Sequence, residues 1–339
     1  MSSAADTRST TSKRVFILGA TGTIGQATVN ALLRRGHDVV CFVRPRSGVR
    51  GALSKRDLIE LFPGATIRSG DVRDPVSLAN DGFMGERFDV LVSCLASRTG
   101  APADAWAIDY QANLDALQIA RQSGVRQAVL LSAICVQKPL LGFQHAKLAA
   151  EKAYRESGLI WSIVRPTAFF KSLSGQIERV RKGKPYLVFG DGQLTACKPI
   201  SDQDLGAYLA DCLDDVSLHD RVLPIGGPGP AITPRAQAEH LFDCLGRPVK
   251  VRQVPVGLLD LIVKGLSLAG RVSPAAARKA ELARIGRYYA TESMLVINPD
   301  TGRYDPDSTP SSGSQTYLDY QARLAKGEQA PDLGDHSVF

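Results

Sequence analysis

The sequence predicts an α/β protein: a Rossmann-like, doubly wound parallel sheet followed by a smaller C-terminal lobe. Two observations carry that expectation. Through the first half, short apolar runs alternate with helical patterns, as a parallel sheet covered on both faces requires. The first run, Arg14-Val-Phe-Ile-Leu, passes directly into Gly19, Gly22 and Gly25 at i, i+3 and i+6, and a helical pattern follows at once. At 339 residues the chain is long enough for one large α/β domain with a further lobe.

In chain order, strands are expected at 15–18, 39–43, 66–69, 90–95, 128–131 and 161–164, and helices at 24–35, 55–61, 104–123 and 143–157. After Arg165 the alternation loosens. Turns at Gly183-Lys-Pro and Gly190-Asp-Gly bracket one short strand, 222–225 reads as another, and a helix at 235–245 leads into a strand at 249–254. The turn-rich Asn298-Pro-Asp-Thr-Gly precedes a last short helix at 317–326. This divides the chain into a disordered leader (1–12), a nucleotide-binding domain (13–165) and a substrate lobe with returning segments and a C-terminal tail (166–339). The stretch Val256–Ala269 is apolar over a wide face, broken by Asp260 and Lys264. A packed helix with a solvated ion-pair face explains it; so does a patch meeting a large apolar substrate or a bilayer interface.

The glycine segment has the strand–turn–helix order that a dinucleotide pyrophosphate needs. Gly19 permits a tight turn, Gly22 admits the phosphates to the backbone, and Gly25 lets helix pack on strand. With Thr21, Thr23 and Ile24 it presents free N–H groups at a helix N-terminus. A functionless Gly-rich turn is the plain alternative. The second strand ends Val43-Arg44-Pro-Arg46-Ser47, without the acid that holds a ribose 2′-hydroxyl in NAD sites. Two guanidiniums there suit a 2′-phosphate, so NADPH is the expected cofactor. Asp71 and Val72 after the third strand are expected to border the adenine. Cys94, Leu95 and Ala96 after the fourth are expected to run under the adenosine ribose and diphosphate.

Bulk properties narrow the partners. The net charge of +7 is modest and not gathered in a long basic block, and aromatics are few. Nucleic acid is therefore not expected, whereas anionic cofactors, carboxylated substrates or an acidic membrane surface are compatible. Six scattered cysteines without a C-x-x-C read as buried thiols in a reducing compartment, and no metal site is expected. The Ser/Thr-rich start lacks an apolar signal core and no run reaches membrane-spanning length, so a cytoplasmic protein is expected.

Ser132 closes the fifth strand and Lys147 lies early on the next helix, where short-chain dehydrogenases keep a catalytic Ser and a Tyr-x-x-x-Lys pair. Four residues before Lys147, however, stands Phe143. Without a phenol near a carbonyl oxygen, ketone chemistry is disfavoured, and another reducible bond is expected. Lys147 is still able to hold the nicotinamide ribose and to stabilise developing negative charge. Pro166 and Thr167 after the sixth strand should lie beside the nicotinamide. His145, off the Lys147 face, is expected on the surface.

Several motifs together resemble one family. Phe143-Gln-x-Ala-Lys147, Phe170-Lys-Ser-Leu-Ser-Gly-Gln176, Phe189-Gly-Asp-Gly192, Cys197-Lys-Pro-Ile-Ser201, Leu223-Pro-Ile-Gly-Gly-Pro-Gly229 and Ile285-Gly-Arg-Tyr-Tyr-Ala-Thr-Glu-Ser-Met-Leu-Val296 are similar to the divinyl chlorophyllide a 8-vinyl-reductases, atypical short-chain dehydrogenases. The resemblance spans about Lys13 to Phe339, and in that family the missing tyrosine is the pattern. It implies NADPH-dependent reduction of the 8-vinyl group of a magnesium porphyrin to ethyl, in (bacterio)chlorophyll synthesis; peripheral contact at the photosynthetic membrane is a further expectation. Hydride would go to the terminal vinyl carbon, the macrocycle would delocalise the charge, and a proton would follow at the inner carbon. Substrate contacts are expected from Phe143, Phe169, Phe170, Tyr288 and Tyr289, with Lys171, Lys198 or Arg287 for a propionate. The short leader is unlike a plastid transit peptide, which implies a bacterial protein. Two rivals stand: an isoflavone-reductase-like C=C or ether reductase, and an NADP-binding sensor without turnover.

Overall fold

The structure, a computed structural model, describes residues 12–45 and 53–328. Residues 1–11 of the expected leader, and the expected cofactor residues Arg46 and Ser47, lie outside the described residues. The elements run β1 (Arg14–Leu18), α1 (Thr23–Arg34), β2 (Asp38–Val43), α2 (Lys55–Leu61), β3 (Thr66–Ser69), α3 (Pro75–Ser77) and β4 (Val90–Ser93). Next come α4 (Pro102–Ala105), α5 (Ala112–Gln122), β5 (Gln127–Leu131), α6 (Gly142–Arg155), β6 (Ile160–Pro166), α7 (Phe170–Leu173), α8 (Ile177–Arg181) and β7 (Tyr186–Phe189). The remainder comprises α9 (Asp202–Asp214), β8 (Arg221–Ile225), α10 (Pro234–Cys244), β9 (Val251–Val254), α11 (Val256–Ala269), α12 (Pro274–Thr291), β10 (Val296–Ile297), β11 (Tyr304–Asp305) and α13 (Tyr317–Ala325).

Seven of these strands form one parallel sheet in the order β3-β2-β1-β4-β5-β6-β8. Alternate residues of each strand feed two cores. Val15, Ile17, Val39, Cys41, Val92 and Val129 pack under α1 and α9, while Phe16, Leu18, Phe42, Leu91 and Leu130 pack under α5 and α6. Both faces are covered, which is why these strands read as continuous apolar runs. The strand order reverses at β1, with β2 on one side and β4 on the other. The crevice beyond their carboxyl ends is where ligands of such sheets bind.

The expected first-half elements lie within a few residues of their predicted positions, but α3 and the π-helical turn that follows it, Leu78–Phe83, were not expected, and one expected helix differs in kind. The single helix expected at 104–123 is interrupted by a π-helical turn, Trp106–Gln111, between α4 and α5. The turn is held by Asn113, whose Nδ2 donates to the carbonyls of Ile108 (3.2 Å) and Asp109 (3.0 Å), while Ser93 Oγ donates to its Oδ1 at 2.6 Å. Such turns inside helices often mark functional positions. In the second half, α9 and α12 were not legible. The segment 202–225 returns to the first half: α9 packs against α1, and β8 extends the sheet beside β6. A second small sheet pairs β7 with β9, in parallel.

Candidate active site

The site is built on the β1–α1 turn. Gly19 has φ +75°, and a Cβ there would lie 2.4 Å from the Cys94 carbonyl oxygen. A Cβ on Gly25 would lie 2.1 Å from the Gly19 carbonyl oxygen. Only glycine permits both approaches, and together they seat the loop in the crevice between β1 and β4. The α1 N-cap is Gly22, with no side-chain cap and no acid in the first turn. Among the described residues the first-turn N–H groups are thus left without a side-chain cap, the arrangement that takes up a phosphate. Gln26 Nε2 donates to Thr21 O at 3.1 Å and stiffens the turn. These features fit a dinucleotide, and Cys94, Leu95 and Ala96 border the same crevice after β4.

At the end of β2, Arg44 stands in a cluster of guanidiniums. Partial burial of its own head group and then the charges of Arg98 and Arg73 push its pKa below the ordinary arginine value, with Asp71 and Asp104 opposing. Arg73 and Arg98 carried no signal in the sequence because they sit on separate loops. Asp71 was expected at the adenine. Its carboxylate instead accepts from Arg73 Nε at 3.1 Å and from Nη2 at 2.7 Å, and this pairing holds it below the usual carboxylate range. Three cations gathered near one strand end form an anion-attracting edge.

Lys147, one turn into α6, meets a buried acid. Its Nζ lies 2.9 Å from Asp109 Oδ1, with the side chains 12% and 1% exposed. Asp109 sits in the π-helical turn and also accepts from the backbone N–H of Ser97 at 3.3 Å. It is the main functional candidate that sequence reasoning missed. The π turn Trp106–Gln111 carries Asp109 as its buried residue. Phe143 lies half-buried on α6, and His145 is exposed as expected.

Ser132 is drawn into a different network. Its Oγ donates to Glu151 Oε1 at 2.6 Å, and fully buried Glu151 also receives Arg165 through Nε (2.9 Å) and Nη2. The hydroxyl is thereby committed to a buried charge pair that ties β5, α6 and β6 together. Pro166 and Thr167 continue β6, with the Thr167 N–H donating to Ile225 O at 2.9 Å and its hydroxyl to Lys198 O.

The expected substrate residues divide. Phe143, Phe169 and Tyr289 remain accessible. Phe170 is buried against Tyr317 and Tyr320, and Tyr288 is buried with its hydroxyl donating to the carbonyls of Cys135 (3.0 Å) and Lys138 (3.1 Å), so both act as packing anchors. The three cations meant for a carboxylate are engaged elsewhere. Lys198 Nζ donates to Thr309 O at 3.1 Å, Arg287 bridges to Asp260 across α11 and α12, and Lys171 Nζ donates to Thr23 Oγ1 at 3.3 Å. Lys171 therefore stands at the first turn of α1, on the phosphate side of the site. Near it, Asp202 carries a buried oxygen that has no hydrogen-bond partner among the described residues, and burial raises its pKa to about 6 despite Lys171.

The fold and the glycine cradle define an NAD(P)H-binding protein, and residues 19–216 match the NAD(P)H-binding family. Among solved structures, the chain superposes on the NADPH-dependent quinone oxidoreductase QOR2 of Escherichia coli, crystallised with NADPH. The TM-score is 0.66 at 17% identity, over 91% of this chain and 99% of that one. AtPrR2, solved with NADP+ and (+)pinoresinol, gives a TM-score of 0.66 at 16% identity, over 93% and 99% of the two chains. Sequence similarity is more specific. The chain is 47% identical over 331 residues to divinyl chlorophyllide a 8-vinyl-reductase of Oryza sativa subsp. indica, covering 96% of this chain and 82% of that protein. The Arabidopsis thaliana protein of the same name is 45% identical over 332 residues, covering 95% and 79%. The chain belongs to the divinyl chlorophyllide a 8-vinyl-reductase family, a family of oxidoreductases.

Proposed function

We propose that the protein reduces the 8-vinyl group of divinyl chlorophyllide, or of its protochlorophyllide precursor, to ethyl with NADPH in (bacterio)chlorophyll synthesis. The observation that carries the reading is the buried Lys147–Asp109 pair on a helix where Phe143 replaces a phenol. A site without that acid is poorly equipped to protonate a carbonyl oxygen, and a conjugated C=C does not require it. Family membership then narrows the substrate. NADPH, when bound, supplies the hydride; charge and proton are left to the protein.

In this reading Gly19, Thr21, Gly22, Thr23, Ile24 and Gly25 hold the diphosphate, with Lys171 beside them. Arg44, joined by Arg73 and Arg98, takes the 2′-phosphate, and Asp71 steadies Arg73. Val72 and the Cys94–Leu95–Ala96 turn border the adenosine, and Pro166 and Thr167 the nicotinamide. Lys147 holds the nicotinamide ribose while Asp109 fixes its ammonium. Ser132 acts as a positioning residue through Glu151. Phe143, Phe169 and Tyr289 face the macrocycle. We assign the proton step to the Tyr289 hydroxyl, which among the described residues donates to the Cys135 sulfur at 3.9 Å. Residues 13–165 with the returning 202–225 segment form the nucleotide half, and the rest of 166–339 the substrate half. We place the protein in the cytoplasm, in peripheral contact with the photosynthetic membrane.

The decisive assay mixes protein, NADPH and divinyl chlorophyllide and follows the blue shift of the Soret band, with NADH and divinyl protochlorophyllide in parallel. A shift with NADPH is expected. No shift with cofactor binding intact would instead favour a nucleotide sensor. Lys147→Ala is expected to lower kcat by about 100-fold or more; near-normal turnover would remove Lys147 from the chemistry.

A further inference from the structure

We propose that the outer face of α11 seats on an anionic lipid bilayer, in the plane of its interface. The inference deepens the membrane contact proposed above and rests on a lipophilic macrocycle being the substrate.

α11 is strongly apolar, yet none of its residues is buried. Leu259, Val263 and Leu266 are half-buried on the side packed against α12. The opposite stripe, Leu258, Leu261, Ile262 and Leu268, recurs at spacings of three, four and seven, so it forms one continuous face. Leu261 is 67% exposed, Leu268 65%, and Val272, just past the helix, 89%. At 14 residues the helix is about 21 Å long. A bilayer core of about 30 Å is too thick for it to cross, and no helix among the described residues is long and apolar enough to do so.

Charge identifies the occupant. Residues 250–290 hold eight lysines and arginines against two acids, a net six of the chain's seven positive charges. Both acids are already paired, Asp260 with Arg287 and Glu281 with Arg284. Lys250, Arg252, Lys264, Arg271, Arg278 and Lys279 are all exposed, Lys264 on α11 itself and the others on the segments that flank it along the chain. An apolar face flanked by cations along the chain matches acyl chains beneath anionic headgroups. A second copy of the chain would set like charge against like charge.

The hairpin also connects to the site. On α12, exposed Leu282 and half-exposed Tyr289 lie two turns apart on one face, and Ile285 packs over Gly100 where Phe143 also borders. A bilayer-seated α11 would therefore hold the accessible aromatics close to where a lipid-partitioned macrocycle resides.

The test is cosedimentation with vesicles of phosphatidylglycerol and phosphatidylcholine, or of phosphatidylcholine alone. The protein is expected to pellet with the anionic vesicles and to be released by salt. The double variant Leu261→Asp/Leu268→Asp should lose at least about 10-fold in vesicle affinity, and Arg271→Glu/Lys279→Glu should weaken it further than salt-matched controls. Both should keep NADPH affinity and far-UV circular dichroism. Three outcomes overturn the proposal: wild type that ignores anionic vesicles, an aspartate variant that binds as wild type does, or a wild-type dimer in sedimentation velocity that the aspartates split. Turnover of detergent-dispersed pigment is read separately. Vesicle binding without turnover sinks the reductase reading alone, and turnover without vesicle binding sinks this inference alone.

Discussion

α1 and α11 are helices of similar length, 12 and 14 residues, each with a wide apolar face, and they meet opposite fates. α1 buries Ile24, Thr28, Val29, Ala31 and Leu32 between the sheet and α9, whereas α11 buries no residue at all. Apolar content therefore does not decide burial. What decides it is whether an independently formed surface stands opposite. α1 leaves a strand that already pairs on both sides, so its inner face must land on the sheet. α11 packs chiefly on α12 among the described residues, and one helix covers one stripe of another.

The contrast is sharpest at the glycine turn. Gly25→Val should cost more than about 3 kcal/mol through overlap with the Gly19 carbonyl, or displace the loop and weaken NADPH binding by roughly 100-fold. Fluorescence titration with NADPH and a thermal melt would register either result, and a variant normal in both would refute the close approach. One step down, Leu32→Ala should destabilise by about 3 kcal/mol in urea unfolding. Leu261→Ala, on the open face of α11, should change stability by less than about 0.5 kcal/mol. Equal losses would mean that α11 is covered in solution.

Smaller effects refine the boundary between packing and chemistry. Tyr288→Phe removes a buried donor shared by two carbonyls and should cost about 1–2 kcal/mol of stability. Tyr289→Phe should leave stability nearly unchanged and lower kcat; the reverse pattern would exchange their roles. Asp202 titrates at about 6 in the folded protein, above its ordinary carboxyl value of 3.8. Well below pH 3.8, at about pH 3 or lower, it is protonated in both folded and unfolded chains and costs nothing. As pH rises to about 6 the unfolded chain ionises first, and the penalty grows to its full size and stays. Asp202→Asn should therefore stabilise the protein by about 1–2 kcal/mol at pH 8, with the gain fading as pH falls to about 3. A gain independent of pH would assign the effect to something other than ionisation.

Much of this was legible in the sequence because it is local. A buried parallel strand is a continuous apolar run, and a glycine triplet reports the close approaches of its own turn. Lys147 could be placed because helix spacing carries it from the strand before it. Asp109 could not, since a π turn has no periodic signature and depends on Asn113 reaching back to two carbonyls. Nor could the partners of Lys171, Lys198 and Arg287, which lie 148, 111 and 27 residues away along the chain.

By itself, then, the chain's pattern determined the parallel sheet, the dinucleotide cradle at its switch point and the absence of a phenol before Lys147. Tertiary structure alone decided which cations gather at β2, which aromatics stay accessible, that 202–225 rejoins the first half, and that α11 keeps an open apolar face. The division has a physical cause. Backbone sterics and hydrogen bonding act over a few residues and leave a periodic trace, while ion pairing and burial depend on surfaces that exist only once distant segments have met.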